Sequence, residues 1–135
     1  MQKEDKDYKP IKFDSKKTRM ELLPPDALIS VAQVLTHGAE KYADRNWEKG
    51  EGIIWERYIG ALLRHMMLFM MGEDTDPDSG LPILAHMSCD ALFLLASYLR
   101  KIGEDTRWKL PKEFVDDIRK CVDDFNTKWE KENVT

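Results

Sequence analysis

The chain has 135 residues, 42% hydrophobic and 10% aromatic, with a formal net charge of −4 from 25 acidic and 21 basic residues. Such a composition fits one folded domain with its own core and excludes a wholly disordered chain. The acidic balance argues against a nucleic-acid partner, which would need a basic stripe. A nucleotide ligand stays open, because a divalent cation can bridge carboxylates to phosphates.

Residues 1–21 are densely charged and lack helical periodicity, so they are expected to form a flexible, extended arm with Lys16, Lys17 and Arg19 as a basic cluster. The start, MQKEDKDYKPIK, is too charged for the apolar core of a secretory leader. Arg64 and His65 interrupt the most apolar run, so no stretch is expected to reach the length of a membrane span. Cys89 and Cys121 give no metal-knuckle spacing. The expectation is a cytoplasmic protein with reduced thiols and no membrane contact.

A helical domain is expected over residues 22–103. Pro24 and Pro25 suit a helix start, and Asp26 complements the helix dipole. Leu28, Val31, Leu35, Ala39 and Tyr42 then recur at steps of three and four, an amphipathic helix over Asp26–Tyr42. ADRNWEKGEG (43–52) has loop composition. A second helix, from about Ile54 to Met71, carries apolar residues on more than one face and is expected to be central. GEDTDPDSG (72–80) is an acidic turn. Pro82 opens a third helix, from about Leu81 to Lys101, ending near Gly103. Residues 104–135 read as a short loop and a fourth amphipathic helix with the stripe Phe114, Ile118, Cys121, Val122, Phe125 and Trp129, expected to pack on the bundle or on a partner subunit. No segment alternates as a strand would. The fold class is all-α, a bundle of about four helices.

The three histidines, His37, His65 and His86, all fall in helical segments. His37 lies three residues before Glu40, and His86 four before Asp90, so each pair shares a helical face. Polar groups converging from several helices are how all-α proteins build metal and catalytic sites. In HGAEKY (37–42), Glu40 is a candidate metal ligand and Lys41 a candidate phosphate contact; the alternative is a solvated helix end. Arg64 and His65 interrupt the most apolar helix, either as a site or as an arginine reaching the surface beside a hydrogen-bonded histidine. Asp90 precedes a strongly apolar segment, where an ionised carboxylate needs a cation or a hydrogen-bond network. Carboxylates suit Mg²⁺ or Mn²⁺, and imidazole shifts the preference towards Mn²⁺ or a later metal. The turn Asp74-x-Asp76-x-Asp78 imitates an EF-hand, but its glycine comes late and Ala85 stands where a glutamate is required. Glu73 remains a candidate ligand at the end of the second helix. His-Glu-x-x-His, nucleophile-elbow and phosphate-cradling glycine motifs are absent.

The ordered set LLPP, GAEKY-x₃-NW, RH, GED-x-DP-x-SG and LAH-x₃-D, spanning about residues 12–100, resembles the N-terminal domain of phage dATP/dGTP diphosphohydrolases. These are also called MazZ-like and are related to the MazG-type all-α nucleotide pyrophosphohydrolases. The resemblance implies a MazG-like bundle that hydrolyses a purine deoxynucleoside triphosphate, dGTP or dATP, to monophosphate and pyrophosphate with Mg²⁺ or Mn²⁺. It implies a role in phage nucleotide-pool or modified-base metabolism, in the host cytoplasm, and a homodimer or homotetramer. Asp90 resembles the aspartate ending the second MazG-type motif, with Met87 where that motif has glutamate. His65 lies near an expected glutamate of the first. The implied catalytic metal ligands are Glu40, Glu73, His86 and Asp90. Lys16, Arg19, Lys41, Arg64 and His65 would face the phosphates, His37 would join them in binding substrate, Asn46 would meet a base or sugar, and Trp47 would offer a stacking face. The alternatives are a non-catalytic nucleotide-binding regulator and a helical adaptor protein.

Overall fold

The computed structural model describes residues 7–133. Four helices follow in order: α1 (Pro25–Lys41), α2 (Trp55–Met70), α3 (Ile83–Arg100) and α4 (Lys112–Asn133). Short 3-10 turns occupy Met20–Leu22 and Asn46–Glu48. Among the described residues the only pairing of extended backbone is an isolated antiparallel bridge between Thr75 and Pro82. The protein is all-α.

Residues 7–19 of the charged arm form no helix and are exposed; residues 1–6 lie outside the described part. Pro25 sits in the first turn of α1, where its missing N–H costs nothing. α2 ends at Gly72, whose φ of +99° suits glycine. The acidic turn then folds on itself. The N–H of Asp76 donates to the Leu81 carbonyl (2.8 Å), and that of Ile83 to the Asp74 carbonyl (3.0 Å). Ile83 is thereby delivered, fully buried, to the start of α3. After α3 the chain clasps the α1–α2 loop: Trp55 Nε1 donates to the Ile102 carbonyl (2.9 Å) and Gly103 N–H to Glu51 O (2.6 Å). Gly103 has φ +74°, and a Cβ there would collide with the Ile53 carbonyl and the Trp55 ring.

Two expectations change. α3, not α2, is central, since it packs against both α1 and α2. The spread of apolar residues round α2 reflects exposure rather than burial all round, for Leu63, Met66, Met67 and Met70 are exposed. Also, α3 is by itself long and apolar enough to cross a bilayer, although the sequence reading admitted no such stretch. It packs against two helices and carries His86 and Asp90 on its cavity side, while Leu84, Leu92, Leu95 and Leu99 along it are exposed.

The core is small. Val31 and Val34 from α1 meet Ala85 and Cys89 from α3, with Leu81 and Phe93 packed on them. Trp55 and Tyr58 bury the first turn of α2. α4 has no extensive contact with the other helices, and Phe114, Ile118, Val122, Phe125 and Trp129 are exposed along it.

Candidate active site

Packing α1 and α2 on α3, with the 43–52 loop at one end, forms an open cavity of about 990 Å³. His37 and Lys41 enter from α1; Arg57, Arg64 and His65 from α2; His86, Asp90 and Arg100 from α3; Arg45, Asn46, Trp47 and Glu48 from the loop; and Asp76 and Asp78 from the acidic turn. Helical spacing explains the α2 set: positions 57, 61 and 64 or 65 recur on one face.

A connected polar group occupies one side. His65 Nδ1 lies 2.9 Å from Asp90 Oδ2, with side-chain exposures of only 20% and 14%. The His65 and His86 rings stack, with centroids 5.2 Å apart and planes at 27°. His86 Nε2 in turn lies 2.7 Å from Ser79 Oγ. Ser79 is held by the turn, because Asp76 Oδ1 accepts the backbone N–H groups of Asp78 and Ser79, both at 2.9 Å. The DP-x-SG segment thus shapes the loop that holds His86.

Burial sets the protonation of these groups. It pushes the Asp90 carboxyl above its usual range, against the opposing pull of the His65 hydrogen bond and of His86 and Arg64. It lowers His86, with Asp76 acting the other way and His65 adding to the decrease. Burial also works against Asp76, but the N–H donors of Ser79 and Asp78 and the nearby His86 bring its carboxyl below the ordinary value. The Cys89 thiol, 2% exposed, is pushed up to about 11 by burial and is inert as a thiolate.

The lowered His86 has a consequence for stability. A histidine held neutral by the fold contributes stability that is present above its unfolded value of about 6.5 and lost as pH falls through the lower folded value. His86→Gln should therefore flatten the loss of urea-unfolding stability as pH falls below about 6.5. A variant as pH-sensitive as the parent would assign that loss to another group. Asp90, being raised, contributes with the opposite slope: its stabilisation is present at low pH and fades as pH rises through the raised value.

The structure redistributes the expected site residues. His37, Lys41, Asn46, Trp47, Arg64, His65, His86 and Asp90 all line the cavity. Glu40 and Glu73 are exposed and do not line it, so the four-ligand set of Glu40, Glu73, His86 and Asp90 does not assemble. Glu40 lies just beyond the stripe of α1 that turns inward, and Glu73 follows the chain reversal at Gly72. Among the described residues no three His, Cys, Asp or Glu side chains are placed to hold a metal ion. On that geometry the side chains present do not fit a resident cation. Lys16 and Arg19 remain on the arm, away from the cavity, with Arg19 paired to Glu21 (2.7 Å). His37 and Lys41 approach Asp78 at 4.0 and 3.7 Å, exposed contacts of small energetic weight. Trp47 stacks on Phe93 (centroids 5.0 Å), and Arg100 Cζ lies 5.1 Å from its ring, which makes the indole a packed anchor for the loop.

The polar contributors not expected from the sequence are Arg45, Glu48, Arg57, Asp76, Asp78 and Arg100 on the cavity wall, and Ser79, which bonds His86. Arg57 was findable, standing two turns before Arg64 on the same face. Arg100 bonds Glu48 across 52 residues, a contact no local pattern announces.

A family model described as dATP/dGTP diphosphohydrolase, N-terminal, matches residues 9–107. The chain belongs to this family. Its matched span covers all three packed helices and every residue of the cavity. A protein named dATP/dGTP diphosphohydrolase, from Salmonella phage PMBT28, is 33% identical over 99 residues, or 73% of this chain and 33% of that protein. The chain therefore spans about a third of the length of this curated relative. No solved structure matches it significantly.

Proposed function

We propose that this domain hydrolyses purine deoxynucleoside triphosphates, dGTP and dATP, to the monophosphate and pyrophosphate. The substrate would arrive as its Mg²⁺ or Mn²⁺ complex, because such ions need only one or two protein carboxylates when phosphates supply the rest. The observation that carries this reading is the cavity itself. Its volume of about 990 Å³ suits a nucleotide-sized ligand. Two guanidinium groups on its wall, Arg57 and Arg64, have no hydrogen bond or ion pair among the described residues. The remaining cations are engaged: Lys41 with Asp78, and Arg45 and Arg100 with Glu48. Two free forks beside a half-buried His–Asp pair suit a polyanion whose phosphorus is attacked by water. Membership of the family and the phage relative's name, dATP/dGTP diphosphohydrolase, support the choice of base and of bond.

The test is product identification. Incubating this chain with dGTP should give dGMP and pyrophosphate in equal amounts. Orthophosphate or inorganic triphosphate would mean that a different bond is cut, and tight dGTP binding without turnover would favour the nucleotide-binding regulator.

A homo-oligomer, dimer or tetramer, belongs to the same proposal. The accessible surface is 12183 Å², against about 7,300 Å² for a compact monomer of this mass. Apolar side chains stand exposed along α4, at Phe114, Ile118, Val122, Phe125 and Trp129, and on α2, at Leu63, Met66, Met67 and Met70. Light scattering should report at least twice 15.8 kDa; a uniform monomer would exclude the oligomer.

A further inference from the structure

We propose that His65 is the proton acceptor for the attacking water and that Asp90 acts through His65 rather than through a cation. The inference rests on the hydrolytic reading above. Asp90 Oδ2 takes up His65 Nδ1 at 2.9 Å across the α2–α3 interface. That bond places the ring proton on Nδ1 and leaves the Nε2 lone pair as the group available to the cavity, as orienting carboxylates do in other hydrolases. The ring is fixed from a second direction as well. His86 stacks on it, and His86 is tied by Ser79 to the turn that Asp76 closes. An imidazole held by edge and by face needs little reorganisation when the substrate arrives. The failure of Glu40 and Glu73 to join Asp90 and His86 points the same way, because it leaves the Asp90 carboxylate with a histidine as its neighbour rather than with other carboxylates.

In the step itself, the water oxygen forms a bond to the α-phosphorus and its proton passes to His65 Nε2. The bond from the α-phosphorus to the oxygen bridging to the β-phosphorus breaks, and its electron pair leaves with pyrophosphate. The proton on Nε2 then passes to the leaving pyrophosphate or to solvent, which restores the neutral ring and completes the balance. His65 is the catalytic residue; Asp90, His86 and Ser79 are positioning residues.

Asp90→Asn keeps the size of the side chain and changes what it can accept. With dGTP the variant should lose about 10²–10⁴-fold in kcat, with KM and the thermal midpoint little changed. His65→Gln should lose as much, and the double variant no more than either single one, because the two act as a unit. Nitrogen-15 NMR of the parent protein should show the Nδ1–H tautomer for His65 whether or not substrate is present. An Nε2–H tautomer, a kcat that survives Asp90→Asn, or losses that add in the double variant would each overturn the proposal. So would recovery of the Asp90→Asn variant at raised Mg²⁺, which would return Asp90 to a cation. If the parent yields no dGMP, the hydrolytic reading fails and this one with it; turnover that is indifferent to Asp90 sinks only the dyad.

Discussion

Replacing Arg57 and Arg64 together by glutamine should raise the KM for dGTP by about 10²–10⁴-fold, since each hydrogen bond to a charged group contributes about 1.5–3 kcal/mol. Both residues are exposed on α2 and line the cavity, and neither is engaged by a carboxylate among the described residues. They stand seven residues apart, about 10 Å along the helix axis, a span that lets two forks hold different phosphates of one chain. The other cavity cations are already neutralised by Glu48 or Asp78 and would have to exchange partners first. Because the two side chains are exposed, the melting temperature should move little. Steady-state kinetics and calorimetric titration with dGTP measure the effect. An unchanged KM would place the triphosphate on another wall, against Lys41 and Arg100.

Ile83→Ala should destabilise the protein by about 2–5 kcal/mol, the range for truncating a fully buried aliphatic side chain. Ile83 is 0% exposed, and few other side chains are buried with it. A domain's whole stability is only about 5–15 kcal/mol, so this one change should consume much of it. The loss should also reach the cavity. Ile83 anchors the point where the acidic turn closes, through its N–H to the Asp74 carbonyl, and that turn carries the Ser79 that holds His86. Urea unfolding followed by circular dichroism gives the cost, and Ile83→Val should lose only about 0.5–1.5 kcal/mol. A negligible cost for alanine would mean that stability resides mainly in contacts between copies, across α4 and the outer side of α2.

The helices were legible because their signals are local. Prolines at 24, 25 and 82 open two of them, glycines at 72 and 103 follow the ends of α2 and α3, and the apolar period of three and four lies between. The histidines were legible as anomalies, polar rings inside apolar helices, and all three reach the cavity wall. Their partners were not. Spacing along one helix coupled His86 to Asp90 and His37 to Glu40, yet Asp90 bonds His65, 25 residues away on α2, and His37 turns towards Asp78.

The amino-acid sequence alone determines where this chain is helical, which residues sit on each helical stripe, and which family it belongs to, because backbone propensity and periodicity act over one or two turns. Which stripes face one another is a decision of packing, taken when α3 settles between α1 and α2. That contact pairs His65 with Asp90, leaves Glu40 and Glu73 in solvent, and draws Ser79 from a loop into the cavity's polar side. The physical reason is range: a helix face is set within about seven residues, whereas the site is assembled from groups tens of residues apart that only burial of the shared core brings together.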